Sequence, residues 1–421
     1  MVEALLSKRL LSIGDGYRAK NSELSNSGIP FARVANIDNG FHFDEADRFP
    51  VADLQKVGEK ISRVGDVVFT SKGTVGRFAF VTDGVQEFVY SPQLCYWRSQ
   101  DHRVINPRFL FYWLNGPEFW RQACAVKGNT DMADYVSLSD QRRMQITLPC
   151  IGIQQGIAHI LGCLDDKIEN NRRMNETLEA MARALFQDWF VDFGPVRAKM
   201  EGREPPGLTS TFAELFPDSL DNHGIPNGWT KRPLDQIARF LNGLALQKYP
   251  GNGDDDLPVI KIAELRNGIS SKTDQASNAI PSEYVIKNGD VLFSWSGSLT
   301  QIIWTGGPGA LNQHLFKVTS AEYPKWFHYF WVDYHLPEFQ AIAASKATTM
   351  GHIQRHHLAD ATVVVSGPSH ISMADQVMRP IFDRLIANDV ETCRLKNVRD
   401  SLLPKLLSGE LRISEAERQV P

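Results

Sequence analysis

The sequence predicts an α+β fold in which two similar mixed α/β globular domains are separated by an antiparallel pair of long coiled-coil helices. Three observations support this prediction. The middle of the 421-residue chain carries a heptad pattern, a similar pattern returns 217 positions later, and matching segments precede both patterns. Repetition of a whole domain-plus-helix segment is typical of a duplicated chain. We therefore expect a pseudo-two-fold internal repeat.

The first heptad pattern lies between Gln154 and Phe193. Its apolar residues follow one another at alternating steps of four and three, which is the spacing of a coiled-coil seam. No Pro or Gly interrupts the pattern after Gly162, and a helix that carries all of it would be about 50 Å long. A helix of that length needs a partner for its apolar stripe. The predicted seam comprises Ile157, Leu161, Leu164, Ile168, Asn171, Leu178 and Leu185.

The second pattern lies near the C-terminus, where Asn388 matches the seam residue Asn171. Such a seam asparagine commonly fixes register at some cost in stability. The match is imperfect, because Arg399 stands where the first helix has Ala182 and Pro404 is predicted to break the last turn. Spacing alone also fits two unrelated amphipathic helices, each buried against its own domain. The second predicted seam comprises Met378, Ile381, Leu385, Asn388, Leu395 and Leu402.

The globular regions also repeat, and this favours two related halves over two unrelated helices. Three segments of the first half return in the second with offsets of 228, 224 and 220. The slow decrease in offset is what loop deletions in the second copy would produce. The matched pairs are GIPFARVANIDNG (28–40) with DLPVIKIAELRNG (256–268), GDVVFTSKG (65–73) with GDVLFSWSG (289–297), and PEFW (117–120) with PEFQ (337–340).

The predicted order is therefore domain, helix, linker, domain, helix. The polar, Pro-rich segment GPVRAKMEGREPPGLTS follows the first helix and has the composition of a linker. Because this linker is short relative to a helix of about 50 Å, we expect the two helices to run antiparallel. The predicted boundaries are 1–150 for the first domain, 151–195 for the first long helix, 196–228 for the linker, 229–368 for the second domain, 369–413 for the second long helix and 414–421 for a tail.

Bulk composition, 43% hydrophobic and 22% charged residues, describes a globular protein. The net charge of −4 differs from the basic balance of most nucleic-acid-binding domains. Binding to DNA would require either positive charge concentrated on one face or an acidic surface reserved for a protein partner. The chain has no long apolar run and no signal-peptide pattern, which predicts a cytoplasmic protein without membrane contact. Five cysteines without C-x-x-C spacing predict neither a disulfide framework nor a zinc site.

No catalytic constellation is predicted. SKGTVGR at 71–77 fails the spacing of a phosphate loop, and NPRF at 106–109 lacks the second proline of the N-P-P-[YF] motif of amino-methyltransferases. DDK at 165–167 has the residues of a nuclease fragment, but its outer side chains would lie about 200° apart around a helix. No metal site is predicted either, because the histidines lack the Glu of an H-E-x-x-H motif. These histidines are His314, His335, His352, His356 and His357.

Two helical segments resemble the conserved helices of one family, the specificity (S) subunits of type I restriction-modification enzymes. LDDKIENNRRMNETLEAMARALFQDWFVDFGPVRAK at 164–199 is similar to the central helix, and RDSLLPKLLSGELRI at 399–413 is similar to the distal one. The two G-D-V-[VL]-F segments and the junctions at Pro149 and Pro368 fit the two target-recognition domains of that family. PSHISMADQ at 368–376 departs from the first copy, which has PCIGIQQ there.

The resemblance implies a subunit without catalysis of its own. It implies that each target-recognition domain reads one half of a two-part, double-stranded DNA target, and that the helix pair sets the gap between the halves. A helix of about 50 Å corresponds to about 15 base pairs. The implied protein partners are two modification (methyltransferase) subunits and restriction (translocase/nuclease) subunits. No cofactor is expected in this chain, whereas S-adenosylmethionine, ATP and Mg²⁺ are expected in the partner subunits.

Direct readout of DNA needs polar side chains on loops that reach the major groove, supported by phosphate contacts. In each half we expect two loops to supply them. In the first half the candidates are Ser71, Lys72, Thr74 and Arg77 with Lys127, Asn129 and Thr130; in the second they are Ser294, Trp295, Ser296, Ser298 and Gln301 with Lys346, Thr348 and Thr349.

Two other functions remain open from the residues alone. The chain could be a standalone DNA nuclease or methyltransferase with a diverged site, in which case the purified chain would turn over DNA with Mg²⁺ or a methyl donor. It could also be a coiled-coil scaffold that binds only proteins, in which case it would have no sequence preference among DNA duplexes.

Overall fold

The computed structural model describes residues 1–38, 40–126, 134–253, 255–345 and 351–419. The chain divides into two compact units. Unit 1 comprises Met1–Asp166 together with Leu395–Pro421, and unit 2 comprises Lys167–Arg394. Each unit therefore contains a globular domain and the adjoining parts of two long helices.

Unit 1 is built on two sheets. One sheet is antiparallel with the order β1-β7-β4-β5, and the other has the order β3-β2-β6 with β2 parallel to β6. The strands are β1 (Leu11–Asp15), β2 (Ile29–Ala32), β3 (Arg48–Phe49), β4 (Val67–Thr70), β5 (Phe78–Phe80), β6 (Val89–Tyr90) and β7 (Leu94–Ser99). The helices are α1 (Val2–Ser7), α2 (Pro107–Asn115), α3 (Pro117–Val126), α4 (Leu138–Arg143) and the start of the long helix α5 (Ile151–Phe186).

Unit 2 repeats this topology. Its sheet β9-β16-β13-β14 corresponds to β1-β7-β4-β5, and β10 pairs antiparallel with β11 and parallel with β15, as β2 pairs with β3 and β6. The strands are β8 (Thr230–Pro233), β9 (Arg239–Asn242), β10 (Leu257–Ile260), β11 (Gln275–Ala276), β12 (Val285–Ile286), β13 (Val291–Ser294), β14 (Gln301–Ile303), β15 (Gly309–Leu311), β16 (Leu315–Thr319) and β17 (Thr362–Val365). The helices are α6 (Gly194–Met200), α7 (Ser210–Leu215), α8 (Leu234–Ile237), α9 (Ile262–Asn267), α10 (Lys325–Ser345), α11 (Arg355–Asp360) and most of the long helix α12 (Pro368–Ser408); α13 (Ile413–Ala416) follows in unit 1.

The repeated Gly-Asp-Val sequence has a structural cause. Gly65 and Gly289 both adopt a positive φ, near 90°, which a residue without a Cβ tolerates best. Each following aspartate accepts a hydrogen bond from a backbone N–H three residues earlier, at 2.8 Å in both copies. Asp66 also forms a buried ion pair with Arg98 at 2.6 Å, while Asp290 pairs with Lys317 at 2.9 Å. The motif therefore closes the turn into the central strand and does not mark a catalytic site.

The long helices are uninterrupted where the sequence suggested a break. α12 continues through Pro404 to Ser408, so the expectation that this proline breaks the last turn is wrong. Pro404 is exposed, whereas Leu402 and Leu406 on either side are buried. Water can therefore solvate the carbonyl that loses its N–H partner, and the packing of the two leucines holds the helix.

The segment predicted as a linker contains ordered structure that belongs to unit 2. After α5, the residues Gln187–Val191 form a π-helical turn, and Phe193 then takes a left-handed conformation with φ 57° before α6 begins. In α7 and just after it, Phe212 and Phe216 are almost fully buried, and the Phe212 ring lies 5.0 Å from that of Trp189. The composition of this segment does not indicate its burial, because its apolar residues are few but large.

None of the helices in the described part of the chain combines the length and the apolar character needed to cross a membrane.

Candidate nucleic-acid interface

The loop between β4 and β5 in unit 1 is held by one buried hydroxyl. Thr70, at the end of β4, accepts hydrogen bonds from the backbone N–H groups of Gly76 and Arg77 at 3.1 and 3.0 Å, and donates to the carbonyl of Thr74. Gly76 is required because a Cβ there would lie 2.3 Å from the Trp120 ring. The loop tip is therefore fixed before it meets any ligand, which reduces the entropy lost on binding.

Unit 2 holds the equivalent loop in the same way. Ser294 lies 224 positions after Thr70. Its hydroxyl accepts from the N–H of Thr300 at 2.8 Å and lies 2.9 Å from the carbonyl oxygen of Ser298, to which it donates. Gln340, which matches Trp120, supports this loop by donating to the carbonyl of Leu299 at 3.1 Å. The repeated P-E-F segments thus supply the base of the loop in both units.

A second segment pairs with each of these loops through the same backbone hydrogen bonds. In unit 1, Gly73 donates to the carbonyl of Asp134 at 3.0 Å and Val136 donates to that of Ser71 at 2.9 Å. In unit 2, the corresponding bonds run from Gly297 to Gly351 at 2.8 Å and from Ile353 to Trp295 at 3.0 Å. These partner segments directly follow residues 127–133 and 346–350, where the second set of predicted DNA-binding residues lies. Lys127, Asn129, Thr130, Lys346, Thr348 and Thr349 themselves lie outside the described residues.

The predicted loop residues divide by exposure. Lys72, Thr74 and Ser298 are exposed at the loop tips, and Arg77 and Trp295 are partly exposed. The remaining predicted residues are buried and bonded within the protein: Ser71, Ser294, Ser296 and Gln301. Their contribution to DNA binding stays a prediction, but in this structure their side chains shape the loops.

Charge is arranged differently in the two loops. The Lys72 ammonium lies 5.9 Å above the centre of the Tyr135 ring, and partial burial raises the pKa of the Tyr135 hydroxyl. Arg77 is held by Asp38, 3.4 Å away. In unit 2 the equivalent of the Lys72–Tyr135 pair is Ser296 with His352. The loop in unit 1 therefore presents an ammonium group at Lys72, and the loop in unit 2 presents a hydroxyl group at Ser298.

Two aromatic side chains at this surface, Tyr135 and His352, are absent from the predicted DNA-binding residues, although a polar surface or a DNA-facing loop is the alternative to a metal site at His352. Tyr135 lies beside Lys72, and the His352 ring lies 6.4 Å from that of Trp295. The signal that could have found them is the repeat itself, because Tyr135 and His352 are separated by 217 positions, the offset of the long helices. In the described ranges, no cluster of three or more His, Cys, Asp or Glu side chains could hold a metal ion.

The seam asparagines meet within unit 2. Asn171 donates to the Glu391 carboxylate at 2.8 Å, and Asn388 donates to the side-chain oxygen of Asn175 at the same distance. The hydrogen bond from Asn171, assisted by Lys167, lowers the pKa of Glu391. Asn171 contacts Glu391, whereas Asn175, one turn later on the first helix, contacts Asn388, which lies earlier on the second helix. These helix segments therefore run antiparallel. The other predicted seam residues of this unit are buried (Met378, Leu385) or half-buried (Ile168, Leu178, Leu185, Ile381).

Unit 1 contains its own stretch of the two helices. Here Ile157, Leu161 and Leu164 of α5 are buried, as are Leu395 and Leu402 of α12. Arg399, which stands where the repeat would place an alanine, pairs with Asp165 at 2.8 Å, and Asp165 also accepts from the Tyr112 hydroxyl at 2.6 Å. The DDK segment is thus part of a structural network.

A family model described as "Type I restriction modification DNA specificity domain" matches the chain twice, over residues 10–180 and 226–397. The chain belongs to this family. Each match covers one globular domain and much of the long helix that follows it. The predicted family is confirmed, as is the predicted fold of two similar α/β target-recognition domains with a long helix between them.

Two proteins with similar sequences are also described as specificity subunits of type I restriction enzymes. The chain is 25% identical over 419 residues to the HindI specificity subunit of Haemophilus influenzae, covering 86% of this chain and 90% of the relative. It is 27% identical over 369 residues to the MjaIX specificity subunit of Methanocaldococcus jannaschii, covering 83% and 78%. The crystal structure of a type I restriction-modification S subunit from M. genitalium matches in fold, with a TM-score of 0.56, 13% identity and coverage of 96% and 94%.

Specificity subunits are the non-catalytic DNA-recognition subunits of type I restriction-modification systems. The expectation that this chain is not itself an enzyme is confirmed by its family, and the alternative of a standalone nuclease or methyltransferase is wrong. The absence of a phosphate loop and of a methyltransferase motif from the sequence agrees with that role.

Proposed function

We propose that this specificity subunit recognises a two-part, double-stranded DNA target, and that each target-recognition domain reads one half of it. The observation that carries the proposal is the repeated pair of loops. In both domains a buried hydroxyl fixes one loop, and the same backbone hydrogen bonds join it to a second segment. Fixed loops with polar tips are suited to reading base edges, because they lose little entropy on binding.

The two loops differ in the chemistry at their tips, which supports two different half-sites. Lys72 and Tyr135 in unit 1 offer a cation and a hydroxyl, whereas Ser298 and His352 in unit 2 offer a hydroxyl and an imidazole group. Base pairs present different donors and acceptors in the major groove, so different side chains select different bases. The target is therefore an asymmetric one.

The proposed partners are two modification (methyltransferase) subunits and the restriction subunits of the same system. The relatives are named as subunits of type I restriction enzymes, which supports an assembly of this kind. S-adenosylmethionine, ATP and Mg²⁺ would then act in the partner subunits. This chain would supply sequence recognition and a scaffold.

The test is methylome sequencing of cells with and without the gene. Loss of methylation at one two-part motif, with other motifs unchanged, is the expected result. An unchanged methylome in a strain that expresses the modification subunits would overturn the proposal. The motif also provides the target duplex for binding experiments.

A second experiment tests the first loop directly. Lys72→Ala in the full chain, co-purified with its modification subunits, should weaken binding of the target duplex and reduce the slope of log K against log salt by about one if Lys72 contacts a phosphate. The matched control is Lys8→Ala, which removes an exposed lysine beyond α1. Equal binding and equal salt slopes in both variants would exclude Lys72 from the interface.

A further inference from the structure

Arg266 is an exposed arginine beside the loop between β13 and β14 in unit 2. No sequence motif identifies this arginine. It lies near the end of α9, a short helix anchored by buried Leu265 and by Glu264, which accepts from the N–H of Lys261 at 3.0 Å. Among the residues that the structure describes, Arg266 has neither an ion pair nor a hydrogen bond. None of the described carboxylates therefore neutralises its charge.

Arg266 lines a cavity of about 370 Å³ at the base of the loop between β13 and β14. The cavity has room because four of its lining residues are glycine or alanine, and polar groups border it. Gln340 uses its amide N–H to bond Leu299, which leaves the amide oxygen available as an acceptor. The loop lines the cavity with Gly297, Ser298 and Leu299, and helix α10 lines it with Gln340 and Ala343.

The duplicated chain shows that a guanidinium recurs at this place although its position in the sequence changes. Arg266 matches Asp38 of the first copy. Thr300 matches Arg77, because each donates its backbone N–H to the hydroxyl at the end of the preceding strand. In unit 1 the arginine comes from the loop and is held by the aspartate, 3.4 Å away. In unit 2 the arginine comes from the short helix α9, and the loop has Thr300 in place of Arg77. Both units thus place a guanidinium beside this loop: Arg77 pairs with Asp38 in unit 1, and Arg266 has no ion pair with a described residue in unit 2.

We propose that Arg266 is a DNA-contacting residue of the second target-recognition domain, and that it binds a group with paired acceptors at this cavity. This inference rests on the proposed function. A guanidinium presents two parallel N–H donors, which match either a phosphate or the O6 and N7 atoms of guanine. Arg77 is the weaker counterpart in unit 1, because Asp38 competes for the same donors.

The experiment uses the full chain co-purified with its modification subunits, and duplexes that carry its own methylation motif. Arg266→Ala should weaken binding of the target duplex about tenfold or more. Arg203→Ala is the matched control, because Arg203 is an exposed arginine of the same unit that pairs only with Glu201 among the described residues. Circular dichroism confirms that each variant is folded.

Arg266→Lys and a set of duplexes with single changes distinguish the two acceptors. If the partner is a phosphate, Arg266→Ala weakens all duplexes alike, lowers the salt slope by about one, and Arg266→Lys restores most of the binding. If the partner is a guanine, both variants relax the preference at one position of one half-site. Unchanged binding in Arg266→Ala, with preference for the motif retained, would overturn this inference alone. A wild-type complex without any preference for its motif would overturn the proposed function and this inference with it.

Discussion

Thr70 illustrates how one side chain can determine the shape of a recognition loop. Its hydroxyl is fully buried and serves two N–H groups of the loop. Thr70→Val keeps the size of the side chain but leaves the N–H of Arg77 without that partner, at a cost of about 1–3 kcal/mol. We expect hydrogen exchange at the amides of Gly76 and Arg77 to become faster in this variant. Thr70→Ser is the control, since Ser294 fills this role in unit 2, and equal exchange rates in both variants would contradict the prediction.

His370 makes unit 2 sensitive to acid. Its ring lies 4.2 Å from that of Phe216 and 4.8 Å from that of Trp229, and it bonds the Ser366 hydroxyl at 2.9 Å. Burial lowers its pKa to about 3, and burial likewise lowers the pKa of His328 to about 4. In the unfolded chain a histidine binds a proton below about pH 6.5. The unfolded state therefore gains protons first, so that the free energy of unfolding falls as pH drops from about 6.5 toward 4.

Replacing His370 tests this linkage. His370→Leu should reduce the loss of stability between pH 7 and pH 5 by about 2 kcal/mol, at about 1.4 kcal/mol per pH unit below 6.5. The measurement is urea unfolding at both pH values. His223→Leu, which removes an exposed histidine of the same unit, should leave the wild-type pH dependence in place. An equally steep dependence in His370→Leu would mean that other groups cause it.

Among single residues, the sequence predicted the loop tips better than the roles of individual side chains. Lys72, Thr74 and Ser298 are exposed where the repeat placed them, because turn residues around glycines favour surface loops. Ser294 and Gln301 carry the same polar chemistry but are turned inward to satisfy backbone groups. Sequence alone cannot separate these cases, since both place a polar side chain in or beside a glycine-containing turn.

At the level of elements, the polar seam of the helix pair is a network and not an isolated pair. Asn388 and Asn175 share a hydrogen bond of 2.8 Å, and Asn175 donates to Asp389 at 2.7 Å. We expect Asn388→Ala and Asn175→Ala to be non-additive, with a coupling of about 0.5–3 kcal/mol in a double-mutant cycle of urea unfolding. The control cycle combines Asn388→Ala with Arg203→Ala, which share no partner and should add. A coupling of zero in the first cycle would show that the seam bond contributes nothing to stability.

Heptad spacing and internal repeats located both long helices, but helix ends and the connecting segment needed tertiary information. The first helix passes into a π-helical turn at Gln187–Val191 because Trp189 and Phe190 both have to reach the core of unit 2. The following segment looked like a linker because tertiary burial of Phe212 and Phe216 has no local signature. The prediction that Pro404 breaks the second helix relied on the low helix propensity of proline. Packing of the neighbouring leucines outweighs that propensity.

For the whole molecule, the quantity with functional meaning is the length of the two long helices, which we propose sets the spacer between half-sites. One heptad adds about 10 Å to a helix, or about 3 base pairs, and turns a half-site by about a third of a turn around the DNA. Three heptads add about 31 Å, close to one full turn. Inserting three heptads at matching places in both helices should therefore lengthen the spacer of the methylated motif by about 9 or 10 base pairs and leave both half-sites unchanged. Methylome sequencing measures this directly.

Insertion into one helix only is the control and should abolish methylation, because the seam loses its register. Methylation that persists at the original spacer after the paired insertion would show that the helices do not set the gap.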